Sequence, residues 1–205
     1  MKSYPSLRHA KQGYLGEPCF AFEKFDGSNI RYEWNKKRGW YKFGTRKCML
    51  DTGHKYLGTA IPIFLEKYGE DLAKVFTDTK DFRGIKTFTV FCEFFGPKSF
   101  AGLHQPEDKM DTVLFDVNPL QKNFLSPKDF LKHFGHLHIP DVVYEGNYNK
   151  QLIEDVRTGK YDVDEGVVCK GKYFTKVWMT KVKTQAWLER VRKEFGTGRV
   201  EEELT

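Results

Sequence analysis

The sequence predicts an α+β chain, and three observations carry that expectation. Short runs of aromatic and β-branched residues, bounded by Gly, Asp, Asn or Pro, recur at residues 19 to 25, 30 to 35, 40 to 43, 86 to 95 and 112 to 117. Apolar stripes of helical period lie between and after them. The chain has 205 residues, 40% hydrophobic and 16% aromatic, which is enough for a substantial core.

In order, residues 1 to 18 are polar, rich in Gly, Pro and Tyr, and without a clear period, so they read as an arm covering an edge of the fold. The strand ending at Lys24 meets a turn on Asp26-Gly27, and a second strand runs through Ile30, Tyr32 and Trp34. Lys36-Lys37-Arg38-Gly39 is a solvated turn into the third strand, which ends at Phe43-Gly44-Thr45-Arg46-Lys47. Ile61, Leu65, Tyr68, Leu72 and Val75 form an amphipathic stripe that predicts a helix between 59 and 76, weakened at Gly69 and concerned with packing. The strand at 86 to 95 carries Glu93 near its end and stops at Gly96-Pro97, and the strand at 112 to 117 closes at Asn118-Pro119. Ser126, Pro127 and Asp129 are the cap, first-turn proline and acid of a helix that Gly135 stops. A further helix spans Asn149 to Thr158, and acids at Asp164 and Glu165 precede another strand. A last strand, Tyr173 to Trp178, leads into Thr180-Lys181-Val182-Lys183-Thr184. Trp187, Leu188, Val191 and Phe195 mark a C-terminal helix, with Glu201-Glu202-Glu203 as a frayed tail.

Lys and Arg exceed Asp and Glu by 34 to 28, giving a net charge of +6, which favours a polyanionic partner. Cys19, Cys48, Cys92 and Cys169 are far apart and form no metal-ribbon or disulfide framework, which fits a reducing, cytoplasmic setting, phage or cellular. No apolar run approaches the ~18 residues of a membrane span. His133, His136 and His138 straddle a helix stop and lack a matching ligand cluster, and the Arg190, Arg192, Lys193 face reads as solvated.

Three places carry chemistry. Lys24 stands at a strand end beside a tight turn, where desolvation or nearby cations would bring its amine from ~10.4 toward ~7 to 8 and make it a nucleophile. Glu93, among Phe91, Phe94 and Phe95, needs a partner, since an unpaired buried carboxylate costs several kcal/mol or protonates. Strand alternation puts Lys181 and Lys183 on one face, where like charges repel unless an anion lies between them.

Glu23-Lys24-Phe25-Asp26-Gly27-Ser28-Asn29, Gly44-Thr45-Arg46, Cys92-Glu93-Phe94, Phe115, Asp164-Glu165-Gly166 and Lys181-Val182-Lys183, in that order, resemble the covalent nucleotidyltransferase superfamily of ATP-dependent polynucleotide ligases and capping enzymes. The likeness runs from Phe22 to Thr184 and is nearest to phage RNA ligases of the RNA ligase 2 kind, because Ser28-Asn29 follows the lysine motif. The chain departs from those relatives in having Asp26 where they commonly carry His. It departs from DNA ligases and capping enzymes in having Asn29 where they carry Arg, and Arg31 is not a safe substitute.

The resemblance implies a twisted, mostly antiparallel two-sheet nucleotidyltransferase domain with flanking helices, spanning residues 1 to 205, with the nucleotide between the sheets. Residues 1 to 18 would be its arm and 184 to 205 its terminal helix and tail, too short for an OB-fold. It implies Lys24 as the nucleophile that takes AMP from ATP, and Arg46 as the contact to the end phosphate. Glu93 would bond the ribose hydroxyls, Phe115 would stack on adenine, and Lys181 and Lys183 would grip the phosphates. Glu165 would hold Mg²⁺ or Mn²⁺, with Asp164 as companion, and Glu23 and Asn29 would belong to the nucleotide site. The implied activity is ATP-dependent RNA ligation by a monomer acting on RNA, including nicked RNA/DNA duplex. The alternatives are a DNA-nick ligase, a capping-type guanylyltransferase, or a non-catalytic basic nucleic-acid-binding domain.

Overall fold

The computed structural model describes residues 1–97, 105–120 and 122–204, so Thr205, the end of the expected tail, lies outside the described residues. The chain divides into two compact units, each containing one sheet. The α+β class and the two antiparallel sheets expected from the sequence are both observed.

The first unit holds Met1–Tyr4 and Gly27–Ile139. Its strands are β2 (Ser28–Asn35), β3 (Gly39–Thr45), β4 (Met49–Leu50), β5 (Thr87–Phe95) and β6 (Asp111–Pro119), in the order β4-β3-β2-β5-β6. Ile30, Tyr32 and Trp34 pair with Cys92, Val90 and Phe88, and this face is dry. The helical stripe packs on it as α1 (Ala60–Phe64), a π-helical segment (Leu65–Gly69) and α2 (Glu70–Asp78). The widened turn changes the periodicity. Phe64, Tyr68, Leu72 and Phe76 are buried at a spacing of four, while Leu65 faces solvent and Val75 is half-buried. Gly69 sits at the end of that turn, and its carbonyl accepts the Trp40 indole N–H at 2.9 Å. Phe64 stacks on Tyr32 with centroids 3.6 Å apart and meets Trp40 edge-on at 4.8 Å. The helix α3 (Pro127–Phe134) starts as its cap predicts, with Ser126 Oγ accepting from the Asp129 N–H at 3.2 Å.

The second unit holds Pro5–Asp26 and Pro140–Thr205. Its strands are β1 (Pro18–Lys24), β7 (Val142–Asn147), β8 (Gly166–Tyr173) and β9 (Lys176–Lys183), in the order β7-β1-β8-β9. One sheet face (Cys19, Ala21, Val167, Cys169, Trp178, Val182) packs on Leu152, Ile153 and Val156 of α4 (Lys150–Arg157). The N-terminal arm does cover an edge. The Ala10 N–H donates to Lys181 O at 2.8 Å, and Lys181 N–H to Arg8 O at 3.1 Å, along the open side of β9. Open strand edges invite foreign pairing, and the arm blocks this one.

After β9 come α5 (Gln185–Phe195) and α6 (Thr197–Leu204). The acidic tail expected to fray is therefore helical. Its like charges are offset because Arg199 pairs with Glu202 and Glu203, both at 2.6 Å, Glu203 also reaches Lys183, and Val200 is buried.

Phe64→Ala should cost about 3 to 5 kcal/mol of stability, the range for losing a fully buried Phe. Urea denaturation reads this directly, and a loss under about 1 kcal/mol would contradict the packing described.

Candidate active site

In the second unit, the register lines Lys24 of β1 up with Gly166 of β8, and Gly166 with Lys183 of β9. The two lysines thus flank a residue with no side chain. Only glycine suits that position. Its φ is +142°, and a Cβ would run into the Val182 carbonyl and come within 2.7 Å of Lys183 Cα. Glu165, one residue earlier, bridges the pair. Its Oε2 accepts from Lys24 Nζ at 2.7 Å and its Oε1 lies 2.7 Å from Lys183 Nζ. Glu165 and Lys183 have only 4% and 2% of their side chains exposed, so burial depends on this pairing.

The strand ends are fastened by Thr184. Its N–H donates to Glu165 O at 3.0 Å, its hydroxyl donates to Asp164 O at 2.7 Å, and the same oxygen caps α5 by accepting the Trp187 N–H at 3.2 Å. Trp187 is fully buried and its indole N–H donates to Asp26 Oδ2 at 3.1 Å, which ties the turn after Lys24 to the helix after Lys183. The Lys183 ammonium lies 3.7 Å from the Trp187 ring centroid.

Alternation places Lys24, Lys170, Lys181 and Lys183 on the sheet face opposite α4. Burial first, then repulsion from Lys183, lowers the Lys181 amine below the ordinary lysine range, against the pull of Glu203. His9 of the arm accepts the Lys183 backbone N–H at 3.2 Å and is pushed down to about 4 by burial and by Arg157, Lys181 and Lys183. The sequence reading expected desolvation or nearby cations to activate Lys24; in the fold its amine is ion-paired to the Glu165 carboxylate. Asp164, the expected companion of Glu165, is instead bonded to Arg190 at 2.5 Å and largely exposed. Glu23 falls on the other face by alternation, where burial and then Asp141, Asp162 and Asp164 raise its carboxyl.

In the first unit, the second face of the sheet gathers the remaining candidates. Asn29 pairs with Glu93 in register, and Asn29 Oδ1 is buried with no donor among the described residues. Phe91 faces Asp116 and Cys92 faces Leu114, so the register shift of a β-bulge falls at Phe115. Tyr4, which the sequence did not mark, lies edge-on to Phe115 at 5.0 Å and near Phe91 at 5.1 Å, with its hydroxyl on Asp116 at 3.1 Å. Burial first, then Asp116 and Glu93, raise that hydroxyl, and Arg46 opposes them, so these three groups act on one point. Arg31 is structural. Its Nη1 donates to Lys2 O at 3.1 Å and Ser3 Oγ at 2.5 Å, anchoring the first residues.

No helix of the described residues is long and apolar enough to cross a membrane. No described group of three His, Cys, Asp or Glu could hold a metal, the trio His133, His136 and His138 included.

The family model for RNA ligases matches residues 17–187. Among solved structures, the chain is similar to a Naegleria gruberi RNA ligase with pyrophosphate, with TM-score 0.67 and 16% identity over 94% of this chain and 58% of that one. A variant of that ligase with AMP and Mn gives TM-score 0.68 and 15% identity over 92% and 58%. Another variant with ATP and Mn gives 0.66 and 15% over 92% and 58%. The likeness establishes the fold, and the chain spans 58% of the length of these structures. No curated protein matches it significantly by sequence.

Because the Glu23 carboxyl is raised in the folded protein, its charge opposes folding near neutrality, and this penalty vanishes below its unfolded value of ~4.3. Glu23→Gln should therefore raise the melting temperature at about pH 7, with the gain fading by about pH 4. Scanning calorimetry across pH checks it, and an equal gain at both ends would refute it.

Proposed function

The chain belongs to the RNA ligase family, and from that premise we propose that residues 1–205 act as one adenylating domain of an ATP-dependent RNA ligase. The observation that carries this reading is the joining of three separated motifs through one carboxylate: Lys24 and Lys183 both within 2.7 Å of Glu165.

In the proposed cycle, Lys24 Nζ attacks the α-phosphorus of ATP. A P–N bond forms, the P–O bond to pyrophosphate breaks, and the amine sheds a proton. Attack needs a neutral amine, so the Lys24–Glu165 ion pair must loosen first. Charge building on the phosphate oxygens is met by Lys181 and Lys183, fixed on the same face by the strand register. A 5′-phosphate oxygen of RNA, steered by Arg46, then takes the AMP from Lys24. A 3′-hydroxyl finally attacks the activated end and releases AMP. In the same reading Phe115 stacks on adenine, Glu93 and Asn29 hold the ribose, and Glu23 contributes through its backbone beside Lys24.

A divalent cation of the Mg²⁺ or Mn²⁺ type would neutralise phosphate charge in this reaction. Glu165 would hold such an ion, since its carboxylate supplies the hard oxygen donors that Mg²⁺ or Mn²⁺ takes. We further read the protein as a monomer acting on RNA, and its +6 charge suits that partner.

Incubation with ATP and Mg²⁺ should add one AMP to the intact mass, mapped to Lys24, and Lys24→Ala should abolish it. Label from GTP but not ATP, or label that persists in Lys24→Ala, would reject the assignment. Nicked duplexes with ribose or deoxyribose at the 3′-hydroxyl side then separate RNA from DNA sealing.

A further inference from the structure

The Lys183 ammonium is fully engaged. It has three N–H donors. Glu165 Oε1 lies at 2.7 Å, Glu203 Oε2 accepts at 2.6 Å, and the remaining side of the group faces the Trp187 ring at 3.7 Å. With 2% of its side chain exposed, Lys183 has no room for a phosphate oxygen beside these partners. A substrate that uses this lysine must therefore displace one of them.

The three partners are not equally held. Glu165 precedes β8 and is bonded through its own backbone to Thr184, and its carboxylate is 4% exposed. Trp187 is fully buried and its indole is tied to Asp26. Glu203 stands apart. It rides on α6, whose described residues include one buried side chain, Val200, and its carboxylate is 16% exposed. Its second ion pair, to Arg199 at 2.6 Å, is within α6, so carboxylate and helix can leave together. The adjoining Leu204 is exposed and lines an open surface cleft of about 270 Å³ with His9 and Leu188.

We propose that Glu203 is an intramolecular stand-in for a substrate phosphate: α6 holds its carboxylate in the anion seat of Lys183 and must release it before a nucleoside triphosphate binds. The proposal rests on reading Lys183 as a phosphate-gripping residue. The contact is long-range, since Glu203 also feels Lys181 and pairs with a lysine twenty residues upstream, which no local helix rule requires. A seat covered in about nine molecules of ten weakens triphosphate affinity about tenfold.

The test compares the full chain with Glu203→Gln, which keeps the shape but not the charge, and with Val200→Asp, which loosens α6 through its apolar anchor. Calorimetric titration with ATP and with inorganic tripolyphosphate should show both variants binding about tenfold tighter. The rate of AMP transfer to Lys24 at saturating ATP should stay unchanged. Amide exchange over residues 197 to 204 of the unsubstituted protein should accelerate when tripolyphosphate is added. Unsubstituted protein that labels normally while Glu203→Gln binds no tighter overturns the stand-in and leaves the ligase reading intact. So does Glu203→Gln with weaker binding or slower transfer, as an orienting role for Glu203 would give. Failure of all three proteins to bind triphosphate or take label overturns both readings.

Discussion

One carboxylate shared by two ammonium groups is the interaction on which this molecule depends. Glu165 lies between Lys24 and Lys183, three residues drawn from three distant segments, in surroundings where at least two of them are almost fully buried. A buried lysine without its counter-charge is strongly destabilising, and here a single anion serves two. The backbone makes this geometry available. The register puts Gly166 between the lysines, Thr184 clamps the strand ends, and the Asp26–Trp187 bond closes the ring of contacts. The site is thus a property of strand pairing first and of side chains second.

The same economy appears in the other unit. Asn29 and Glu93 pair in register across β2 and β5, and the register shift between β5 and β6 falls at Phe115, whose ring meets Tyr4 edge-on while that of Phe91 meets it at a tilt. Tyr4 joins them from the first residues of the chain, anchored through Arg31.

Much of this was legible in the residues. β-branched and aromatic runs located β1, β2, β3, β5 and β6 within one or two positions, Ser126 and Gly135 bounded α3 through capping chemistry, and alternation alone placed Lys181 with Lys183, whereas β4 and β7 were not anticipated and β9 starts three residues later than expected. What escaped is long-range or irregular. The partner of Lys24 lies 141 residues away, so no local pattern shows that its amine is paired with Glu165. The acids at 201 to 203 look like a frayed tail until Lys183 and Arg199 are seen to hold Glu203. The π-helical turn and the bulge at Phe115 each shift a periodic pattern by a residue, which no periodic reading anticipates. Thr184 did carry a local signal, a hydroxyl residue just before an apolar helical run, but its second bond to Asp164 did not.

The close fit at Gly166 also bears on how the chain reaches its native state. If β9 slid by one residue against β8, Lys181 and Lys183 would turn toward Leu152 and Val156, and Val182 would take their place on the charged face. Two cations in that oily layer would be too costly to persist, so a misaligned hairpin is rejected early. The lysines that the strand register sets on one face thereby proofread the assembly of the sheet.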